Sequence, residues 1–152
     1  MIRTVNNKTI VVEKTDDMRD PAGVLLGVPP WQVVVKKDGN GKPFVENYPI
    51  FVSKTNVTIG NEINICAASY HPVGIDIEYP GRDNIDWKKL AARFCGEDIK
   101  TKRQFYMRFS SAEATVKLKG GSIIEYLKKL PDDVYYETNY DPVVVSVIAM
   151  QK

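Results

Sequence analysis

Val73-Gly74-Ile75-Asp76-Ile77-Glu78 is the stretch on which the fold turns. Its strict alternation predicts a strand with Val73, Ile75 and Ile77 on one face and Gly74, Asp76 and Glu78 on the other. The three apolar side chains anchor one face in a core, so the two carboxylates project together from the opposite face as a rigid, oxygen-rich edge.

Upstream of this strand the chain reads mostly as further strands. Residues 9–13, 31–36, 50–53 and 62–69 are rich in Val and Ile and are bounded by Gly, Pro, Asn and Asp. Asp38-Gly39-Asn40-Gly41 is a turn signal. A short helix is expected within 15–28, stopped by Pro29-Pro30. Downstream the period changes. Trp87, Leu90, Ala91 and Phe94 recur at helical spacing behind the capping residue Asp86. A second helix is expected from about residue 97, with a stripe of Phe105, Phe109, Ala112 and Val116 facing the core and Gly120-Gly121 as its stop. A short helix over 122–130 and strands over 134–138 and 143–150, around a turn at 139–142, complete the chain. Strands, then helices, then strands predict an α+β fold, a mixed or antiparallel sheet packed with helices, rather than a parallel doubly wound sheet.

The chain has 152 residues, 43% of them hydrophobic, which suits a single domain over 1–152 with a real core. Its halves, about 1–72 and 73–152, read as a pseudo-duplication. A formal charge of +2 and a pI near 8.4 are too balanced for a charge-driven nucleic-acid binder. No apolar run reaches the ~18 residues of a membrane span, and residues 1–14 lack the apolar core of a signal peptide. The expectation is a soluble cytoplasmic protein with neither nucleic acid nor membrane as partner. Cys66 and Cys95 belong to no Cys-x-x-Cys pair and read as free thiols. His71, the only histidine, reads as a loop residue at a strand end, which leaves a Ser/His/Asp or Cys/His hydrolase little to build on.

The candidate chemistry lies in carboxylates. Beside Asp76 and Glu78 stand Glu113 and Lys117, one helical turn apart at the border of the apolar stripe, where a charged group can reach into a cleft while its helix stays packed. Convergence of the three acids would suit Mg²⁺, which takes one or two protein carboxylates with phosphate oxygens and water, and the lysine would suit a phosphate. Taken alone, the strand also fits a half-exposed edge and the Glu/Lys pair a surface helix pair.

The order of segments adds to this. Val73 to Glu78 contains Gly-x-Asp-x-Glu, and Phe109-Ser110-Ser111-Ala112-Glu113-Ala114-Thr115-Val116-Lys117 is similar to Trp-x-x-Lys-Glu-Ala/Ser-x-x-Lys. Upstream stand Gly41-Lys42-Pro43 and Phe51-Val52-Ser53-Lys54-Thr55. In this order they resemble the signatures of the Sfp-type 4′-phosphopantetheinyl transferases, well over 41–121, loosely at the C-terminal strand and hardly over the first 40 residues. The resemblance implies that family's fold and a Mg²⁺-dependent transfer of phosphopantetheine from coenzyme A to a serine of an acyl or peptidyl carrier protein. It implies Asp76, Glu78 and Glu113 as metal ligands, Glu113 also as the base, Lys117 on the transferred phosphate, and Lys42, Ser53 and Lys54 at the coenzyme. Lys54 stands where the family has histidine, Ala112 where it has lysine, and Phe109 where it has tryptophan. Arg19, Lys36 and Lys37 are candidates for the 3′-phosphate contacts that an arginine-rich helix supplies in the family. Eight Lys or Arg against four acids between Arg82 and Arg108 suit an acidic carrier. The alternative implied by the same substitutions is a homologue that binds coenzyme A or a carrier without transferring the arm.

Overall fold

The computed structural model describes residues 1–81, 85–141 and 143–152. Strands β1 (Ile2–Val5) and β2 (Lys8–Glu13) precede helix α1 (Arg19–Leu26). A 3-10 turn (Pro30–Gln32) leads to the short hairpin of β3 (Val35–Lys37) and β4 (Pro43–Val45), then to β5 (Phe51–Ile59), β6 (Asn61–Ser69) and β7 (Val73–Glu78). Helices α2 (Trp87–Phe94), α3 (Lys102–Lys119) and α4 (Ile123–Lys128) follow, and β8 (Val134–Tyr140) and β9 (Val145–Gln151) end the chain. The fold is α+β with antiparallel sheets, as the segment order predicts.

Two sheets face each other, one of order β1-β2-β6-β5 and the other β7-β9-β8, every pairing antiparallel. Period-two alternation fills both faces of each. Val5, Ile10 and Ala67 of the first sheet meet Val73, Ile75, Ile148 and Met150 of the second between them. On the outer face of the first sheet, Ala22 of α1 packs with Val52 and Ala68. On the outer face of the second, Ala114 and Leu118 of α3 pack with Val145, Val147 and Ala149.

The sheets are joined at two seams. At one, the hydroxyl of Ser53 accepts the backbone N–H of Ile75 and that of Thr55 accepts the N–H of Ile77, both at 3.2 Å. The equal offset means that β5 and β7 run parallel, with β5 hydroxyls satisfying donors that a lone edge strand would leave unmade. At the other seam Arg3 of β1 pairs with Glu137 of β8, and the Lys8 ammonium reaches the Gln151 carbonyl.

β7 and α2 occupy the residues that their periodicities predict, and Asp86 caps α2 by accepting the Lys89 N–H. Other expectations are corrected. Residues 31–34 are not a strand: proline opens a 3-10 turn there, Trp31 is 74% exposed, and pairing starts only at Val35. The second helix begins at Lys102 rather than near 97, because Thr101 and Gln104 form a reciprocal capping box. β5 continues beyond Ser53 to Ile59, where Gly60 in a left-handed conformation closes the hairpin into β6. β1 was not apparent in the sequence. The expected core stripe of α3 also divides. Ala112 and Val116 pack with Tyr126 and Leu127 of α4, Phe105 joins Ala114 and Leu118 against the sheet, and Phe109 touches both groups. Of the turn expected over 139–142, β8 covers Asn139 and Tyr140, and Asp141 accepts the N–H groups of Val143 and Val144. Pro142 lies outside the described residues, as do Arg82 and Asp83 of the basic stretch. Among the described residues no helix is long and apolar enough to cross a membrane.

Candidate functional site

Gly74 decides how closely α3 approaches β7. A Cβ on it would stand 2.0 Å from the Ala114 carbonyl oxygen and 2.8 Å from the Leu118 nitrogen, so only glycine lets the helix backbone lie directly on the strand. This contact brings the next residue of the same face, Asp76, under the helix. Asp76 is 6% exposed, an unusual place for a carboxylate.

Its carboxylate is met by polar groups from α3 and β5. Ser110 of α3 donates to Oδ2 at 2.8 Å. On Oδ1, the Lys117 ammonium stands at 3.3 Å and the Thr55 hydroxyl donates over 3.4 Å. Lys117 also donates to the Ile75 carbonyl at 2.9 Å, so Ile75 is held at both ends, by Ser53 at its N–H and Lys117 at its oxygen. Glu78, half-buried, is hydrogen-bonded to Asp76. Burial pushes the Asp76 carboxyl above the ordinary range, against the opposing pull of Lys117 and the bonds from Ser110, Lys117 and Glu78. Glu113 is half-buried, not turned to bulk solvent. Burial and then the negative charge of Asp76 raise its pKa, with Lys117 opposing.

The structure therefore brings Asp76, Lys117, Ser110, Thr55 and Ser53 together around the middle of β7, with Glu78 next on the same face and Glu113 near enough for the charge of Asp76 to act on it. Lys42 is nearby: its ammonium donates to the Leu118 carbonyl at 3.1 Å, one residue beyond Lys117. It lines a cleft of about 520 Å³ whose walls include Phe44, Tyr48, Phe51 and Val73. Lys54 is not part of this group. It follows Ser53 on the alternating strand and its ammonium is bonded to the Asp16 carbonyl at 2.8 Å. Of the other candidates, Arg19 is paired with Asp17, which lowers the Asp17 carboxyl, Lys36 is paired with Glu46, and Lys37 is exposed on β3. His71 is an exposed loop residue, and Cys66 and Cys95 are free.

Two contributors escaped the sequence reading. Ser110 and Thr55 are small, uncharged and unremarkable in composition, yet both are buried against Asp76. The available signal was register: Ser110 lies three and seven residues before Glu113 and Lys117, on one face of the helix.

Among the described residues no group of three or more His, Cys, Asp or Glu side chains is arranged to hold a metal ion. The Lys117 ammonium is the cation on Asp76. The acidic donors are oxygens, the kind a hard divalent ion takes, and burial is the first cause that raises the pKa of both Asp76 and Glu113.

Over 74 residues the chain is 36% identical to the 4′-phosphopantetheinyl transferase gsp of Aneurinibacillus migulanus. The likeness is to that superfamily. The match covers 49% of this chain and 28% of that protein, so the chain spans under a third of the relative's length. No known family model matches the chain. Where the superfamily signature has lysine before the helical glutamate, Ala112 is sealed beneath Tyr126 and Leu127 of α4, a position that would force a lysine to displace that helix.

Proposed function

We propose that the protein transfers the 4′-phosphopantetheine arm of coenzyme A to a serine of an acyl or peptidyl carrier protein, with Mg²⁺ as cofactor. The observation that carries the proposal is the contact between β7 and α3 at Gly74, which sets Asp76 beside Lys117 and within electrostatic reach of Glu113. Asp76, Glu78 and Glu113 would hold the ion. When bound, it would neutralise charge on the pyrophosphate oxygens.

The chain's own groups have the remaining roles. Glu113, whose raised pKa suits a general base, or a water that it orients, accepts the proton of the carrier serine. The serine oxygen bonds to the β-phosphorus as the bond to the bridging oxygen breaks, and adenosine 3′,5′-bisphosphate leaves. Lys117 exchanges its contact with Asp76 for the transferred phosphate, whose charge it matches. Lys42 and the cleft beside it receive the nucleotide end, and the buried Ser53 acts by fixing Ile75. Lys88, Lys89, Arg93, Lys100, Lys102 and Arg103 are exposed and available to an acidic carrier. Arg108 is engaged elsewhere: it bridges the Leu127 carbonyl and Asp98.

The second reading, a coenzyme A or carrier-binding module, is favoured by the Lys117 contact with Asp76, which keeps an ammonium where a metal ligand should be open. Incubation with an apo carrier protein, coenzyme A and Mg²⁺, followed by intact mass spectrometry of the carrier, separates the two. A gain of one phosphopantetheine, lost in Asp76→Ala and Glu113→Ala, is expected. Coenzyme A binding without any gain across several carriers would select the binding module.

A further inference from the structure

The hairpin of β3 and β4 belongs to neither main sheet: its two strands pair only with each other. Its apolar anchorage is confined to the root, where Val35 faces Val45 and both pack with Val33, Ile50 and Val52. Toward the tip the facing residues are Lys37 and Pro43, followed by a turn that holds its own shape. The Asp38 N–H donates to the Lys42 carbonyl at 2.9 Å, and its carboxylate accepts the N–H groups of Asn40 and Lys42 at 2.8 and 3.0 Å. Such a hairpin moves as one piece about its root.

Among the described residues, a single hydrogen bond ties residues 35–45 to an element beyond that root: the Lys42 ammonium donates to the Leu118 carbonyl at 3.1 Å. Leu118 lies in the last turn of α3, where the final carbonyls lack partners within the helix and carry the negative end of its dipole. A cation suits them, yet Lys117 and Lys119 already bring positive charge to that turn, so α3 does not depend on Lys42. Lys42 is exposed, and its partner is a neutral oxygen. A phosphate oxygen with full negative charge holds an ammonium more strongly. The place for such an anion adjoins it, since the cleft of about 520 Å³ takes Lys42, Phe44 and Val45 from the hairpin and Phe51, Val52 and Val73 from β5 and β7.

We infer that Lys42 is a latch: in the free protein it ties the hairpin tip to the end of α3, and an anion carried into the cleft on an apolar body draws it off, so that the hairpin moves. The latch follows from the bonding alone. Its release rests on the transferase reading above, which supplies the anion.

The test measures the distance between nitroxide labels at Asn40→Cys, on the tip, and Ser122→Cys, beyond the end of α3, in a Cys95→Ser background. Both label sites are exposed, and the remaining Cys66 is buried. With Lys42 present the free protein should give one narrow distance. Lys42→Met should displace or spread it by more than about 2 Å, the scale that separates a loop rearrangement from a rigid surface. Lys42→Arg, which keeps a cationic donor, should restore the narrow distance. An unchanged distance in Lys42→Met overturns the latch. Coenzyme A, with its binding followed by calorimetry, should shift the tip of the protein that retains Lys42 by a similar amount, whereas adenosine, which has no charge, should leave it in place. Bound coenzyme A with an unmoved tip, or an equal movement with adenosine, overturns the release. A protein that neither binds coenzyme A nor modifies a carrier overturns the transferase reading and the release with it, and Lys42→Met then decides the latch by itself.

Discussion

The two seams that join the sheets solve the same problem with different chemistry. Between β5 and β7 the contacts are buried, uncharged hydroxyls on backbone N–H groups, with a carboxylate held among them. Between β1 and β8 the contact is an ion pair, Arg3 with Glu137, whose side chains are 40% and 30% exposed. Buried hydroxyl bonds are directional and costly to leave unmade, so they fix geometry. A half-exposed ion pair is screened and adjustable, so it closes the structure without specifying it. The candidate site lies on the first seam, where geometry is fixed.

The largest effect should come from the residue that lets α3 onto that seam. Gly74→Ala puts a methyl group against helix backbone at 2.0 and 2.8 Å, where nothing flexible can yield. Overpacking of this kind is expected to cost about 3 kcal/mol, the upper end of its usual range, read as a lower urea midpoint. A variant as stable as wild type would mean that α3 can sit farther from β7 than described.

Next are the hydroxyls. Ser53→Ala and Thr55→Val each strand a buried β7 N–H, so each should lose about 1–3 kcal/mol. Thr55→Val is nearly isosteric, so its loss isolates the hydrogen bonds from packing. Hydrogen exchange at Ile75 and Ile77 should rise in the corresponding variant. If neither amide exchanges faster, the hydroxyl seam does not hold β7.

How much of this was legible beforehand follows from how local each signal is. β7 and α2 were readable because their patterns lie within the segment itself: period two in one, a capped helical repeat in the other. The contact of Asp76 with Lys117 was approachable because strand and helix faces can be assigned residue by residue. The hydroxyl seam was not, since Ser53, Thr55 and Ser110 acquire their roles only when β5 and α3 are laid on β7. Lys54 follows Ser53 directly, yet alternation turns it toward Asp16. The division of the α3 stripe was hidden for the same reason, because α4 supplies the second apolar partner.

A smaller effect concerns the charge stored on the buried seam. Burial first, then Asp76, raises the Glu113 pKa in the folded protein, so folding favours its protonated form. That contribution is fully present below the ordinary carboxylate range and is lost as pH rises through the raised value. Glu113→Gln should therefore melt above wild type at neutral pH, with the gap closing toward acid pH. Millimolar Mg²⁺ should narrow it by stabilising wild type only. A melting temperature at neutral pH equal to or below that of wild type would show that the carboxylate is not under strain.

The smallest effect is expected at the other seam. Arg3→Ala removes the ion pair with Glu137 but leaves a partly hydrated carboxylate, so the loss should stay below about 1 kcal/mol. Raising the salt concentration to about 1 M shortens the screening length to ~3 Å and should remove most of the difference between variant and wild type. The Thr55→Val deficit should persist under the same conditions, because its bonds are buried and shielded from the solvent. A large, salt-insensitive loss in Arg3→Ala would mean that the outer seam specifies how the sheets meet, and would erase the contrast between the two.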